Sequence, residues 1–520
     1  MHPANVFKGS LFAVVLLLLC TTAYAQELPK SFRLSAGETD DRPLSNSAVD
    51  LLVRTDTLWV AGGKGIDMTT DNGASWMHVG DSAPFDLEDI AALEAYGSTF
   101  WASLAGAEDT DDGALPRGLG LAVSTDNGVT WTHVPQPKEA EDMSVYDIIY
   151  GRNSIPTLAV TTDINNITYD IAVTKDAVFT ASFAGGLRKS TDGGANFTPV
   201  VLPPDFLDAI APGDSLNFEL SPVSRPDLGL RESLNHRVFS VHAMSDDTIW
   251  VGTAGGINLS TDGGISWKKF SFDDPGDAIS GNFVVAIGDN TIGGTRYVWA
   301  STINALNTLE FRAVSYTTDM GESWSTTLRG EFTHNFGFRG DVVYAPTNSG
   351  IYRSDDGGRS WIGFSRFVDS KNRQVAAEPN CYAAAPLGDD VWVANSDGLM
   401  RTTDNMESFF GTSWTILRAA QALPSADEAY AYPNPFSPDD EVCRIHYHAT
   451  DPSVSIRIYD FAMLPVRTLI RNATRVQGIE HDEIWDGKND NGTRVANGVY
   501  YIEIENGSGD PRWTKVIVLQ

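Results

Sequence analysis

Apolar residues in this chain come in short runs separated by glycine- and aspartate-rich turns, and one arrangement of them recurs. Thr248 to Trp267, TIWVGTAGGINLSTDGGISW, reads as strand, glycine turn, strand, and a tight acidic turn closed by a tryptophan. Its last eight residues fit S/T-x-D-x-G-x-x-W/F. The pattern returns at Thr69 to Trp76, Ser124 to Trp131, Ser190 to Phe197, Thr317 to Trp324 and Ser354 to Trp361. A seventh copy, Thr402 to Phe409, has Met406 in the glycine position. Upstream of each copy an aromatic sits in an apolar strand: Trp59, Trp101, Phe179, Trp250, Trp299, Tyr344 and Trp392. From that aromatic to the aspartate the interval is 12 residues in four units, 13 in one, and 20 and 25 in the other two. Two independent markers agree on seven units, and a fixed period of this kind marks a repeat architecture.

The turn chemistry explains the residue choice. In a hairpin tip an aspartate accepts hydrogen bonds from backbone N–H groups of its own turn, and glycine adopts the positive φ that other residues resist. Asp71, Asp126, Asp192, Asp262, Asp319, Asp356 and Asp404 are therefore expected to be structural, with the trailing aromatic as an apolar lid. Each unit also carries a preceding hairpin, clearest at Val238 to Gly252 around Ser245-Asp246-Asp247. Four short strands per unit, repeated seven times, predict an all-β, seven-bladed β-propeller over 26–418. Four-stranded blades in a ring leave only short sheet edges.

The turn of Ser260 to Trp267 and its relatives resembles the Asp-box, or BNR, repeat of sialidases, sortilin-type receptors, certain glucan hydrolases and photosystem II assembly factor propellers of the YCF48 kind. That resemblance implies the fold and not an activity, because those families share the turn and differ in chemistry.

Departures from the 12-residue interval show which loops have grown. Unit two holds 13 extra residues around 106–113, and unit five 8 extra around 304–310. The longest connections between units run over about 135–166 and 203–235. Propeller topology is expected to crowd all four on the face opposite the acidic turns, and long loops on a rigid scaffold are where binding residues tend to sit. The ligand-binding candidates are therefore Glu108, Asp109, Asp111 and Asp112 on one loop, and Phe206, Arg225, Asp227 and Arg231 on another. The acidic run could hold Ca²⁺, which takes several oxygen ligands, but it lacks the register of a known calcium loop, and solvated surface is the plainer reading. The aromatic with mixed charge suits a sugar or a peptide.

No catalytic constellation emerges. The only Arg-Pro after the first unit is Arg225-Pro226, far too late for the sequence that opens sialidase propellers, and one ring lacks the cleft between two propellers that Asp-box glucan hydrolases use. His78 and His133 each follow their turn tryptophan by two places, so repeat position explains them. Cys443, His446 and His448 resemble a metal cluster in sequence. On a strand, however, 443, 445 and 447 face one way and 446 and 448 the other. Neither a metal nor another cofactor is expected.

After Trp414 the period stops, and 419–429 reads as a linker. Alternating strands follow at Val442 to His448 and Val454 to Asp460, with Asn-Gly turns at 491–492 and 497–498. They predict a small antiparallel sandwich over 430–520. The opening Tyr432-Pro433-Asn434-Pro435-Phe436, the turn Trp485-Asp486-Gly487-Lys488-Asn489-Asp490-Asn491-Gly492 and the strand Asn497-Gly498-Val499-Tyr500 resemble the FlgD-type Ig-like domain, overlapping the type A C-terminal sorting domain of type IX secretion. The resemblance implies a partner in the secretion machinery. Asp486 and Asp490 read as turn residues.

Composition narrows the partners. Met1 to Ala25, with an apolar stretch from Leu11 to Leu19 and Ala23-Tyr24-Ala25 as a cleavage site, reads as an export signal. No other apolar run reaches the ~20 residues of a membrane span. A net charge of −31 among 520 residues disfavours nucleic acid and anionic membranes. Of three cysteines only Cys381 and Cys443 lie beyond the signal, so no disulfide framework is expected. The resulting expectation is a secreted or surface-held bacterial protein with a non-catalytic binding or scaffold role, whose partner is an extracellular glycan or protein. The competing reading is a secreted glycoside hydrolase or lyase acting on polysaccharide.

Overall fold

The computed structural model describes residues 39–519, apart from 41, 80–82, 87, 111–112, 274–277, 373, 377, 420–422, 424, 433, 439–441 and 508. The export-signal segment, and Ser31 to Ser35 as a candidate closing strand, lie outside the described residues. Among the described residues the fold is all-β, with two single-turn 3₁₀ helices at Pro226–Leu228 and Leu234–His236.

Each repeat unit folds into its own antiparallel sheet with sequential strand order. Unit one contributes Ala48–Arg54, Thr57–Gly62, Gly65–Thr69 and Trp76–His78, and Thr39–Asp40 adds an outer strand beside Trp76–His78. Unit four contributes Val238–Ala243, Ile249–Thr253, Gly256–Ser260 and Trp267–Phe270, with Ala209–Ile210 as its extra outer strand. The last unit supplies all four of its strands itself, from Cys381–Leu387 to Thr415–Leu417. The second strands are buried along their length, as at Ile249–Thr253 and Val178–Ser182, because both faces pack against neighbouring sheets. First strands line a common axial cavity, which gives the β-propeller arrangement.

Adjacent sheets meet through the aromatics that the repeat pattern picked out. Trp250, Trp299 and Trp392 are wholly buried. In each of several acidic turns the glycine lies flat against an aromatic of the preceding sheet: Gly128 on Trp59, Gly194 on Trp101, Gly73 on Trp392. That last contact joins the first sheet to the last, and among the described residues these two sheets meet by packing, with no strand shared between them.

In six units the turn aspartate accepts hydrogen bonds from its own turn. At the first, Asp71 Oδ1 accepts from Thr69 Oγ1 (2.8 Å) and Ser75 N (2.8 Å), and Oδ2 from Ser75 Oγ (2.5 Å). The same set recurs around Asp126, Asp192, Asp262, Asp319 and Asp356.

The seventh unit differs from expectation. Asp404 is buried and accepts from Arg353 Nε at 2.8 Å and from Tyr344 Oη, with Arg339 Nη2 2.8 Å away. It therefore serves as the centre of an ion-pair cluster between the last two sheets. Five extra residues displace the turn, so Gly411 (φ +80°), pressed on Phe364, takes the glycine position and Trp414 becomes the lid. Trp414 and Phe410 are fully buried while Phe409 is exposed, so the period must be read to Trp414 and not to Phe409.

Residues 429–519 form two facing sheets. One holds Ala429–Tyr432, Cys443–His448 and Glu480–Trp485, the other Pro465–Thr474, Ser453–Tyr459, Gly498–Asn506 and Arg512–Val518. Cys443, Ile445 and Tyr447 enter the shared core with Ile456, Trp485 and Ile502. His446 points the other way, held by Asp482 and Glu480 at 3.0 Å each. Asp397, in the last repeat sheet, pairs with Arg418 (2.9 Å) and with Arg444 of the first facing sheet. No disulfide joins Cys381 and Cys443.

Candidate binding cleft on the long-loop face

Two of the long connections converge. The 203–235 connection is tied end to end by Asp205, whose carboxylate accepts from Ser233 Oγ (2.9 Å) and from the backbone N–H groups of Leu234 and Asn235 (2.8 Å each). That clasp closes the connection into a loop that displays Phe206, 64% exposed. Across from it stands the 304–310 loop of unit five. Glu310 is buried and braces this loop from inside, accepting from Ala305 N and from Asn282 Nδ2 (3.2 Å). Leu306 and Leu309 are consequently held outward, 81% and 74% exposed. Phe206, Leu306, Asp205, Asp208, Asp273 and Glu310 line a cleft of about 440 Å³. The ammonium group of the cleft, Lys269 Nζ, is buried and donates to the carbonyls of Asp205 and Pro204.

The other sequence candidates lie elsewhere. The 106–113 insertion extends a hairpin, Thr99–Thr110 with Gly113–Ser124, in which Glu108 opposes Leu115 and Asp109 opposes Ala114. Alternation along a strand separates neighbouring carboxylates, and Glu108 lies 3.5 Å from Arg117. Asp111 and Asp112 lie outside the described residues. Arg225 is engaged by Asp227 at 2.9 and 2.7 Å, and Arg231 by Glu219 at 3.1 and 3.3 Å; neither pair lines the Phe206 cleft.

The 135–166 connection also departs from the expected crowding on one face. It contains the hairpin Val145–Tyr150 with Asn153–Leu158, whose Tyr150 hydroxyl donates to the Ile265 carbonyl at 2.7 Å, within an acidic turn at the opposite end of sheet four. Ile155 packs among Phe179, Leu202 and Trp267, so this segment clads the outer edge because it carries its own apolar face.

The axial cavity, about 380 Å³, holds residues the repeat pattern did not single out: Asp50, Glu94 and Asp170. Asp50 accepts from Leu93 N (3.0 Å) of the next sheet and from Leu51 N (2.9 Å), and Asp170 from Val241 N and Ile171 N (2.9 Å each). These two carboxylates thus pin one first strand to the next. Burial pushes Asp50 up to about 6 and Glu94 up to about 7, and Asp170 well above the ordinary carboxylate range. A carboxyl near 7 can serve as a general acid if a second group is placed for it. The available signal was an aspartate inside an otherwise apolar first strand, in Ala48–Arg54 and again in Thr168–Val173.

No family model and no curated protein matches the chain. Solved structures do match. An ancestral GH74 enzyme is 14% identical with a TM-score of 0.48, over 91% of this chain and 63% of that one. PorZ, an essential bacterial surface component of the type-IX secretion system of Porphyromonas gingivalis, is 14% identical with a TM-score of 0.32, over 90% and 64%. This chain therefore spans just under two thirds of the length of each. YCF48 from Cyanidioschyzon merolae is 13% identical with a TM-score of 0.38, over 69% of this chain and 92% of that one.

Proposed function

We propose that this chain is an exported, non-catalytic binding or scaffold protein. Its repeat sheets are the blades of a seven-bladed propeller of the Asp-box kind, presenting the Phe206 cleft. Its C-terminal sandwich is an Ig-like domain serving secretion or surface attachment. The observation that carries the binding reading is the exposure of Phe206 and Leu306 in one cleft, on loops held by Asp205 and Glu310. Apolar groups displayed on braced loops cost stability in water and are offset when a partner covers them.

The hydrolase reading draws on Glu94 and its neighbours in the axial cavity. Against it, Asp50 and Asp170 already accept two backbone N–H bonds each, an arrangement that holds sheets together and leaves less of each carboxylate for proton transfer. A polysaccharide hydrolysis screen beside a glycan and protein binding screen on the purified chain decides between them. Turnover of any polysaccharide that disappears in Glu94→Gln would overturn the non-catalytic reading. For export, removal of 431–520 is expected to leave the protein in the periplasm, and normal secretion without it would end the sorting role.

A further inference from the structure

We infer that the occupant of the Phe206 cleft is an extended peptide segment in which aliphatic or aromatic side chains stand next to lysine or arginine. This inference rests on the binding reading above and gives it a partner chemistry. Two features of the cleft specify the peptide. Phe206 and Leu306 supply apolar surface from the two loops that line the cleft, and Leu309 is exposed on the same loop as Leu306. Leucine offers no flat face for a sugar ring, so the pair suits side chains that bury by shape and area.

Charge complementarity supplies the second specification. Asp205, Asp208 and Asp273 are exposed at the cleft, while its one ammonium, Lys269, is buried against backbone carbonyls. An approaching cation therefore meets carboxylates and no exposed lysine or arginine among the lining residues. The chain as a whole, at −31, repels acidic partners and steers basic ones. Carboxylates at a rim act more on encounter rate and partner choice than on affinity, whereas the apolar contacts set how long the complex lasts.

The test is panning of the full chain against a phage-displayed library of short random peptides, followed by fluorescence polarisation with the selected peptides. Basic residues adjacent to aliphatic or aromatic ones are expected to be enriched. Leu306→Ser and Phe206→Ser are expected to weaken binding at least tenfold, Asp208→Asn several-fold, and added salt likewise. All three side chains are exposed, and unchanged circular dichroism would establish that the variants fold; binding of the wild-type chain in rising salt tests the charge component independently of any variant. Selected peptides that are acidic, or that bind Leu306→Ser and Phe206→Ser as tightly as wild type, would overturn the inference. A neutral glycan whose binding is lost in those variants would leave the cleft a binding site and sink the peptide assignment. Polysaccharide turnover with no ligand sensitive to either variant would defeat the binding reading itself.

Discussion

The indole Nε1 of Trp392 donates to the Asn72 side-chain oxygen at 3.0 Å, joining residues 320 positions apart. Beside it a Cβ on Gly73 would stand 2.5 Å from the Trp392 ring, at a φ of +86°. Trp76 meets the same ring edge-on at 5.9 Å. This is how the first and last sheets are held. Gly73→Ala is expected to cost about 1–3 kcal/mol from overpacking and left-handed strain, and Trp392→Ala about 3–5 kcal/mol from the cavity left behind. Chemical denaturation of the purified chain measures both. Losses below about 1 kcal/mol, the lower bound for overpacking, would mean that the ring is closed by other contacts.

The turn aspartates and Asp404 share a sequence pattern and differ in environment. Asp192 is exposed and bonded within its own turn, whereas Asp404 is buried between Arg353 and Arg339. Asp404→Asn removes one of the two carboxylates that pair with buried Arg353, Asp355 at 2.8 Å being the other, and weakens the hydrogen bonds from Tyr344 and Arg353, so it is expected to cost about 1–3 kcal/mol. Asp192→Asn, in solvent, is expected to cost much less. Equal losses in urea unfolding would contradict the separation.

Acidity acts on this protein in two windows. Asp71, Asp126 and Asp192 are held down to about 2 by hydrogen bonds from Ser75, Thr130 and Asn196, against an ordinary value of 3.8. Their contribution is complete above about pH 4 and is lost as the pH falls toward about 2. Asp50 and Glu94 behave oppositely. Burial raises them to about 6 and about 7, so the folded state holds protons that the unfolded chain releases near their ordinary values of 3.8 and 4.5. Stability therefore declines as pH rises from about 4 through about 7. The thermal midpoint is expected to peak at about pH 4, where the rise from the turn aspartates is complete and the decline from Asp50 and Glu94 begins, and Glu94→Gln is expected to flatten the fall on its alkaline side. An unchanged slope would show that Glu94 does not supply it.

Asp397, in a hairpin turn of the last repeat sheet, pairs with Arg418 at the end of that sheet and with Arg444 of the C-terminal sheets, all three buried or nearly so, and only the second pair joins the two parts. Asp397→Asn removes the charge shared by both guanidinium groups. Faster limited proteolysis within 419–428 is the expected outcome, with each folded part surviving. Unaltered cleavage would mean that the two parts are held by other contacts.

Much of the fold is legible because its markers are local. An aspartate, a glycine and a lid aromatic at fixed spacing form a turn by contacts within a few residues, and a buried strand aromatic recurs wherever sheets must pack on both faces. The seventh unit departs from the expected lid at Phe409 for the same reason. With five residues inserted, local spacing points to the wrong aromatic, and only burial distinguishes Trp414 from Phe409.

The loops divide in the same way. Spacing along the chain is enough to establish that 203–235 and 304–310 are long, and that the period running through the first part of the chain stops after Trp414. Packing in three dimensions decides that those two loops meet at Phe206 and Leu306, that 145–158 turns away to clad an outer edge, and that Asp50, Glu94 and Asp170 share an axial cavity. The physical reason is range. Turn and strand chemistry is fixed by neighbours a few residues away, whereas a cleft or an axial cavity exists only once sheets far apart in the chain pack into a ring. Nothing in the local pattern at Asp50 records that its carboxylate will meet the N–H of Leu93.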